Sequence, residues 1–159
     1  MTIYFAAGHA GFELKNVLVQ YVNEDLGHDT VDCGATALDP EDDYPDIVMK
    51  AVEEMLAAGG DAKAVILGGS GQGEAMVANR MKGVRAAVYY GEAGSEQTDA
   101  DGNTLDILES TRLHNDANVL SLGARFISED EAKEAVKKWL GTPFSGEERH
   151  TRRIHKLDA

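Results

Sequence analysis

Cysteine, positive charge and long apolar runs are scarce in this chain of 159 residues. The single cysteine, Cys33, excludes an internal disulfide and favours a reducing, cytoplasmic location; it is predicted to be a small core residue rather than a reactive thiol. The apolar run at residues 3–7 is short and follows no basic region, which argues against a signal peptide or a membrane span. The net charge of −13 argues against general nucleic-acid binding.

Apolar and amphipathic segments alternate along the chain, as expected for a single domain over residues 1–159 with 43% apolar and 27% charged residues. Strands are predicted at residues 3–7, 29–33, 65–68, 85–89 and 118–123. Apolar stripes predict long helices around 14–22, 48–56 and 132–140, and shorter helices are predicted at 105–113 and in the basic tail at 142–159. This alternation predicts an α/β fold with a parallel sheet and helices on both faces.

A glycine-rich turn at residues 68–73 follows the third predicted strand and is followed directly by Glu74. Backbone N–H groups in such a turn, together with the dipole of the next helix, can bind an oxyanion or a phosphate. Ser70 adds a hydroxyl, and an oxyanion cradle beside a carboxylate suits proton transfer next to a carbonyl. A tight turn whose glycines are there for steric reasons explains the pattern equally well. The turn fits neither a nucleotide P-loop nor a dinucleotide fingerprint, because Glu74 stands where the first needs lysine and the second glycine.

Two polar turns fall at carboxyl ends of predicted strands. One contains His9 and the other is the glycine-rich turn; the region after Tyr89 is a weaker third candidate. Ligands of parallel α/β sheets bind at this edge, near the point where strand order reverses, so a site is expected there. In the basic tail, Arg149 and Arg153 are four residues apart and would share one helix face. That tail either grips an anion or balances an acidic surface.

Five stretches, spread in order over nearly the whole chain, carry a resemblance. They are GHAGFELK (8–15), DYPD (43–46), GGSGQGEAMVANRMKGVRAA (68–87), HNDANVLSLGAR (114–125) and FSGEERHTRRI (144–154). They resemble the ribose-5-phosphate isomerase B family, which also includes galactose-6-phosphate isomerase subunits. The resemblance implies a Rossmann-like, three-layer α/β/α sandwich with a five-stranded parallel sheet. It also implies aldose–ketose isomerisation of a sugar phosphate through a cis-enediolate, without a cofactor or a metal, at the interface of a homodimer that in some cases pairs into a tetramer.

The resemblance also implies roles for individual residues. One branch of the family uses a cysteine base at the position of Gly68, and a second branch, which this chain resembles, has glutamate at the position of Glu74. Glu74 then moves the proton between C1 and C2, Ser70 helps to stabilise the enediolate, and His114 helps to open the furanose ring. The implied substrate-binding residues are His9, Gly69, Gly71, Gly73, Asn115, Arg125, Arg149 and Arg153. On their own, His9 and His114 would be interpreted as exposed or capping histidines.

The chain departs from the family pattern at two places. Gly8 stands where the family usually carries an aspartate that contacts sugar hydroxyls, and an acidic loop at residues 91–107 lengthens the path to His114. Either the substrate differs at the hydroxyl concerned, or a loop carboxylate compensates; the candidates are Asp99, Asp101 and Asp106. The first alternative predicts that ribose 5-phosphate is not the best substrate.

Three functions remain open at this stage. The first is a sugar-phosphate isomerase with Glu74 as base, and the second is a non-catalytic sugar-phosphate binding or regulatory protein, which the loss of the aspartate at position 8 suggests. The third is an acidic interaction domain that uses the 91–107 loop. Glu74 and His114 favour the enzyme, because binding a phosphate requires neither of them.

Overall fold

Five parallel strands form one sheet in this computed structural model, which describes residues 1–92, 94, 98–99 and 102–159. The strands are β1 (Thr2–Ala7), β2 (Asp29–Asp32), β3 (Lys63–Gly68), β4 (Ala86–Tyr89) and β5 (Val119–Gly123). Their order across the sheet is β2–β1–β3–β5–β4. From β1 the chain goes outwards to β2 on one side. On the other side it goes from β3 to β4 at the far edge and returns to β5 between them, so the switch point lies between β1 and β3.

The described residues form six α-helices: α1 (Phe12–Glu24), α2 (Tyr44–Ala58), α3 (Gln72–Ala78), α4 (Ile107–Leu113), α5 (Glu129–Gly141) and α6 (Glu148–Ile154). Their ends have local causes. Pro45 lies in the first turn of α2, where its missing N–H costs nothing, and Gly59 ends that helix with a φ of 62°. Ser128 caps α5 in a reciprocal capping box with Glu131.

Alternate residues of the strands point to opposite faces of the sheet and belong to two separate hydrophobic cores. Ile3 and Phe5 of β1 face the side covered by α1, α4 and α5, where Trp139 is fully buried. Tyr4 and Ala6 face the opposite side, which α2 and α3 cover. A sheet buried on both faces between helices confirms the predicted three-layer α/β/α sandwich.

Element boundaries differ from the sequence prediction by a few residues. The fourth helix begins at Ile107 rather than at 105 because Asp106 caps it, accepting a hydrogen bond from the N–H of Leu108 at 2.7 Å. Cys33 is 5% exposed, which confirms it as a core residue. Within the described ranges, none of the helices combines the length and the apolar character that a bilayer crossing requires.

Candidate active site

A cavity of about 490 Å³ opens at the carboxyl edge of the sheet, beside the switch point between β1 and β3. The turns that follow β1, β3 and β5 form its wall, together with the segment that enters α2. Six of the predicted site residues line it: His9, Gly69, Ser70, Gly73, Glu74 and Arg125. The carboxyl ends of separate strands therefore bring together residues that are more than a hundred positions apart in sequence.

Glu74 lies in the first turn of α3 with its carboxylate over the last residue of β3. A Cβ on Gly68 would stand 1.8 Å from Oε1 of Glu74, so the carboxylate occupies the space that a side chain at position 68 would need. Glu74 is 6% exposed, and no residue in the described part of the chain forms a hydrogen bond or ion pair with its carboxylate. A buried, unpaired carboxylate on a cavity wall is placed to accept a proton from a bound molecule.

A hydrogen bond from β5 fixes the glycine-rich turn. Gly71 adopts a φ of 74°, which favours glycine, and its carbonyl accepts a 2.6 Å hydrogen bond from the buried hydroxyl of Ser121. Gly71 itself does not line the cavity but shapes the turn that does. At the front of the turn, the hydroxyl of Ser70 accepts a hydrogen bond from the N–H of Gln72 at 3.3 Å. The hydrogen bond from Ser121 thus fixes a turn whose Ser70 lines the same cavity as Glu74.

His9 and Asp42 form a pair on the wall that faces β1. Nδ1 of His9 lies 3.0 Å from Oδ1 of Asp42. Because an ionised carboxylate only accepts hydrogen bonds, Nδ1 carries the proton and Nε2 is the nitrogen left for another partner. Asp42 thereby fixes the ring orientation of His9 at the cavity.

Arg125 brings positive charge over the glycine-rich turn. Its N–H donates to the carbonyl of Gly69 at 3.1 Å, and its side chain lies 3.4–3.5 Å from where a Cβ on Gly69 would stand. The guanidinium is exposed and pairs with no carboxylate among the residues described. A forked cation at a cavity mouth suits a phosphate dianion.

The remaining predicted residues form a second cluster away from the cavity. The ring of His114, at the end of α4, stacks on the ring of His150 in α6, with centroids 4.5 Å apart and an interplanar angle of 13°. Arg149 and Arg153 both lie in α6, as predicted, and Nε of Arg149 is 2.8 Å from Glu147. None of His114, Asn115, Arg149 and Arg153 lines the cavity of the same chain.

Two arginines hold the segment that follows His114. Asp116 has a φ of 45°, which is uncommon for a residue other than glycine. Its carboxylate accepts hydrogen bonds from Arg85 at 2.9 Å and from Arg112, which is 5% exposed, at 2.8 Å. Arg85 also donates to the carbonyl of Asn115 at 3.0 Å. This clamp fixes His114 and Asn115 at the surface.

The acidic loop does not supply a carboxylate to the cavity from its described residues. Asp99 accepts hydrogen bonds from Asn103 within the loop, and Asp106 caps α4 and pairs with Lys138 at 3.2 Å. Neither lines the cavity of its own chain, so compensation for Gly8 by these two within one chain is wrong. Asp101, the third candidate, lies outside the described residues.

Comparison with known proteins identifies the family of this chain. The family model described as Ribose/Galactose Isomerase matches residues 3–157. The chain belongs to the ribose/galactose isomerase family. Ribose-5-phosphate isomerase B of Mycobacterium tuberculosis is 37% identical over 157 residues, which cover 99% of this chain and 88% of that protein.

Solved structures within the family share the fold. The structure of ribose-5-phosphate isomerase B from Mycoplasma genitalium with bound ribulose 5-phosphate superposes with a TM-score of 0.83 at 29% identity, covering 98% of this chain and 93% of that one. The enzyme from Anaplasma phagocytophilum gives a TM-score of 0.81 at 34% identity, with 98% and 95% covered.

Asp42 and Tyr44 also line the cavity, although neither is among the site residues that the sequence predicts. Both lie in the acidic stretch at residues 36–44, which the sequence predicts to be a loop. The hydroxyl of Tyr44 lies 2.5 Å from where a Cβ on Gly73 would stand, so that glycine makes room for the phenol ring. The available signal was the DYPD stretch, in which Pro45 marks a helix start and therefore the end of a loop that could reach the sheet edge.

Proposed function

We propose that Glu74 is the base with which this sugar-phosphate isomerase interconverts an aldose phosphate and a ketose phosphate. The observation that supports the assignment is the buried carboxylate of Glu74, which lies without a partner in the described chain on the wall of the cavity. A carboxylate removed from water and close to a hydroxyl donor suits proton transfer at carbon next to a carbonyl.

The proposed reaction moves one proton between neighbouring carbons. Glu74 takes the proton from C2 of the open-chain aldose, and the electron pair of that bond forms the C1–C2 double bond of a cis-enediolate. Ser70 and the N–H groups of the glycine-rich turn stabilise the negative oxygen, as donors aimed at developing charge do elsewhere. Glu74 then returns its proton to C1 while the proton of the C2 hydroxyl passes to the oxygen on C1, and the electron pair of that O–H bond completes the C2=O bond of the ketose.

His9 and Arg125 are proposed to hold the phosphate at one end of the cavity. Both line it, and the Arg125 guanidinium pairs with no carboxylate of the described residues. The phosphate then anchors the substrate, so that its binding energy positions C1 and C2 at Glu74.

A homodimer is proposed because the predicted site residues fall into two groups. One chain contributes the cavity with Glu74, whereas His114, Asn115, Arg149 and Arg153 lie outside it. In a two-fold dimer each cavity can receive the second group from the partner copy, and the isologous symmetry completes both sites at once. The stacked His114 is then proposed to assist ring opening in the partner's cavity.

The first experiment is a coupled assay over a panel of pentose, tetrose and hexose phosphates with wild type and Glu74→Gln. The amide keeps the shape of the side chain but cannot take a proton, so turnover is expected to fall by about 10²–10⁴-fold with a similar thermal midpoint. Turnover of the variant within threefold of wild type excludes Glu74 as the base. Binding of a sugar phosphate without turnover by wild type identifies a binding protein instead.

A mixing experiment tests the shared site. Glu74→Gln and His114→Asn chains are purified separately, unfolded together and refolded. If each site uses Glu74 of one chain and His114 of the other, mixed dimers keep one intact site, and about a quarter of wild-type activity returns after random pairing. If both residues act within one chain, no activity returns.

A further inference from the structure

Asp42 carries an unpaired carboxylate oxygen on the cavity wall. Its side chain is 9% exposed. Oδ1 accepts the hydrogen bond from His9, whereas Oδ2 is buried and has no hydrogen-bond partner among the described residues. A buried acceptor without a donor is costly, and a native protein keeps one where a ligand or water supplies the donor. The unpaired Oδ2 of Asp42 therefore indicates that a ligand group donates a hydrogen bond to it.

Gly8 gives this carboxylate its room. With φ −75° and ψ −176°, Gly8 has an extended backbone that any residue adopts, so backbone strain does not require a glycine. Limited space favours a glycine instead, because a Cβ at position 8 would lie 3.1 Å from Oδ1 and 3.3 Å from Oδ2 of Asp42, and 3.3 Å from Cβ of Tyr44. The carboxylate of Asp42, from the loop before α2, thus lies next to the space that a side chain at position 8 would enter.

The chemistry of the cavity indicates which donor Asp42 meets. Two carboxylates, Asp42 and Glu74, are among the described residues that line it, and Arg125 supplies the cation that suits a phosphate. We propose that Oδ2 of Asp42 accepts a hydrogen bond from a hydroxyl of the substrate's carbon chain. Asp42 is then a specificity-determining residue that selects polyhydroxylated phosphates. The inference rests on the proposed function, because it takes a sugar phosphate as the ligand.

Binding of two phosphate esters tests this without turnover. Ribitol 5-phosphate carries hydroxyls but no carbonyl, and n-pentyl phosphate has the same number of carbons and no hydroxyls. In Asp42→Ala, the affinity for ribitol 5-phosphate is expected to fall by about 10- to 150-fold, the range for a hydrogen bond to a charged group. The affinities for n-pentyl phosphate and inorganic phosphate are expected to fall by a smaller factor, equal for the two, because Asp42 also orients His9, which is proposed to hold the phosphate. Asp43→Ala removes an exposed neighbouring carboxylate and is expected to change none of the three.

The alternative role for Asp42 is to position His9 alone, and it gives a different pattern. In that case all three ligands weaken by the same factor in Asp42→Ala, and the proposal is overturned; it is also overturned if none of them weakens. Gly8→Ala provides a second variant that leaves Asp42 in place. Its Cβ displaces the carboxylate by a few tenths of an ångström, so ribitol 5-phosphate is expected to weaken several-fold with n-pentyl phosphate unchanged. Equal affinities in Gly8→Ala and wild type contradict the geometry.

Failure of this proposal and failure of the proposed function give different results. If wild type turns over no sugar phosphate in the panel, the isomerase assignment fails, whatever the two esters show. If wild type is active but Asp42→Ala binds ribitol 5-phosphate as well as wild type does, only the role of Asp42 fails. Both sets of measurements use the full-length chain.

Discussion

Gly68→Ala is expected to disable the enzyme by moving one carboxylate. The new Cβ would stand 1.8 Å from Oε1, 2.0 Å from Cδ and 2.3 Å from Oε2 of Glu74. The carboxylate must therefore move by more than 1 Å before this contact becomes tolerable. Misplacement of a reacting group by about 1 Å can cost about 10²-fold in rate. Overpacking typically costs about 1–3 kcal/mol of stability, which leaves the protein folded at 25 °C.

The assay compares kcat for the best sugar phosphate in wild type, Gly68→Ala, Glu74→Gln and the double variant. Because both substitutions act on one carboxylate, the double variant is expected to be no slower than Glu74→Gln alone. Gly141→Ala is the matched control, since no atom lies within 4 Å of the Cβ it would add. A Gly68→Ala enzyme with a kcat within threefold of wild type would refute the placement of Glu74 at the reacting carbons.

Three further predictions concern residues outside the cavity. Burial, followed by the hydrogen bond to Glu54, raises the pKa of the Cys33 thiol to about 12. A thiol reagent at pH 8 should therefore react with Cys33 only at the rate at which the protein unfolds, and labelling at the rate of a free thiol contradicts this. Burial and the neighbouring His114 lower the pKa of His150 below 6.5, so its stabilising contribution is complete above that pH and is lost as the pH falls through the folded pKa. The thermal midpoint should therefore drop between pH 7.5 and 5.5 by more in wild type than in His150→Gln. Asp116→Ala leaves Arg85 and Arg112 without their shared carboxylate and should lower the free energy of unfolding in urea by about 1–3 kcal/mol, whereas an unchanged midpoint and slope would show that the clamp contributes nothing.

The sequence predicts well those parts of the site that a single short segment of the chain forms. The turn at residues 68–73 and the adjoining Glu74 form one short segment, and its glycines and its position after a buried strand are visible in the sequence. The strand-end rule for parallel sheets then places His9 beside it without knowledge of the coordinates. The cavity contains both.

The parts that the sequence does not predict depend on contacts between distant segments. Asp42 reaches His9 across 33 positions, and nothing in an acidic loop distinguishes the one carboxylate that turns inward from its solvated neighbours. His114 and His150 stack across two helices, and their pairing depends on where α6 packs. Arg149 and Arg153 lie outside the cavity of their own chain, and in the proposed dimer their contact with a phosphate depends on how the second copy packs, which a single sequence does not reveal.

Gly8 and Gly68 share one structural feature, a carboxylate next to the space that a side chain would need. Each stands at or just after the carboxyl end of a central strand, and each leaves the space next to its Cα to a carboxylate from elsewhere, Asp42 in the first case and Glu74 in the second. A glycine at position 8 therefore does not imply a cavity without a carboxylate, and the prediction that ribose 5-phosphate is not the best substrate stays a prediction for the sugar-phosphate panel to test. The same geometry predicts that Gly8→Asp alone binds ribitol 5-phosphate less well than wild type, because two carboxylates would crowd within a few ångströms. Gly8→Asp combined with Asp42→Ala should restore much of that affinity, since one carboxylate is again present. A double variant as weak as Asp42→Ala alone would show that the acceptor must come from position 42.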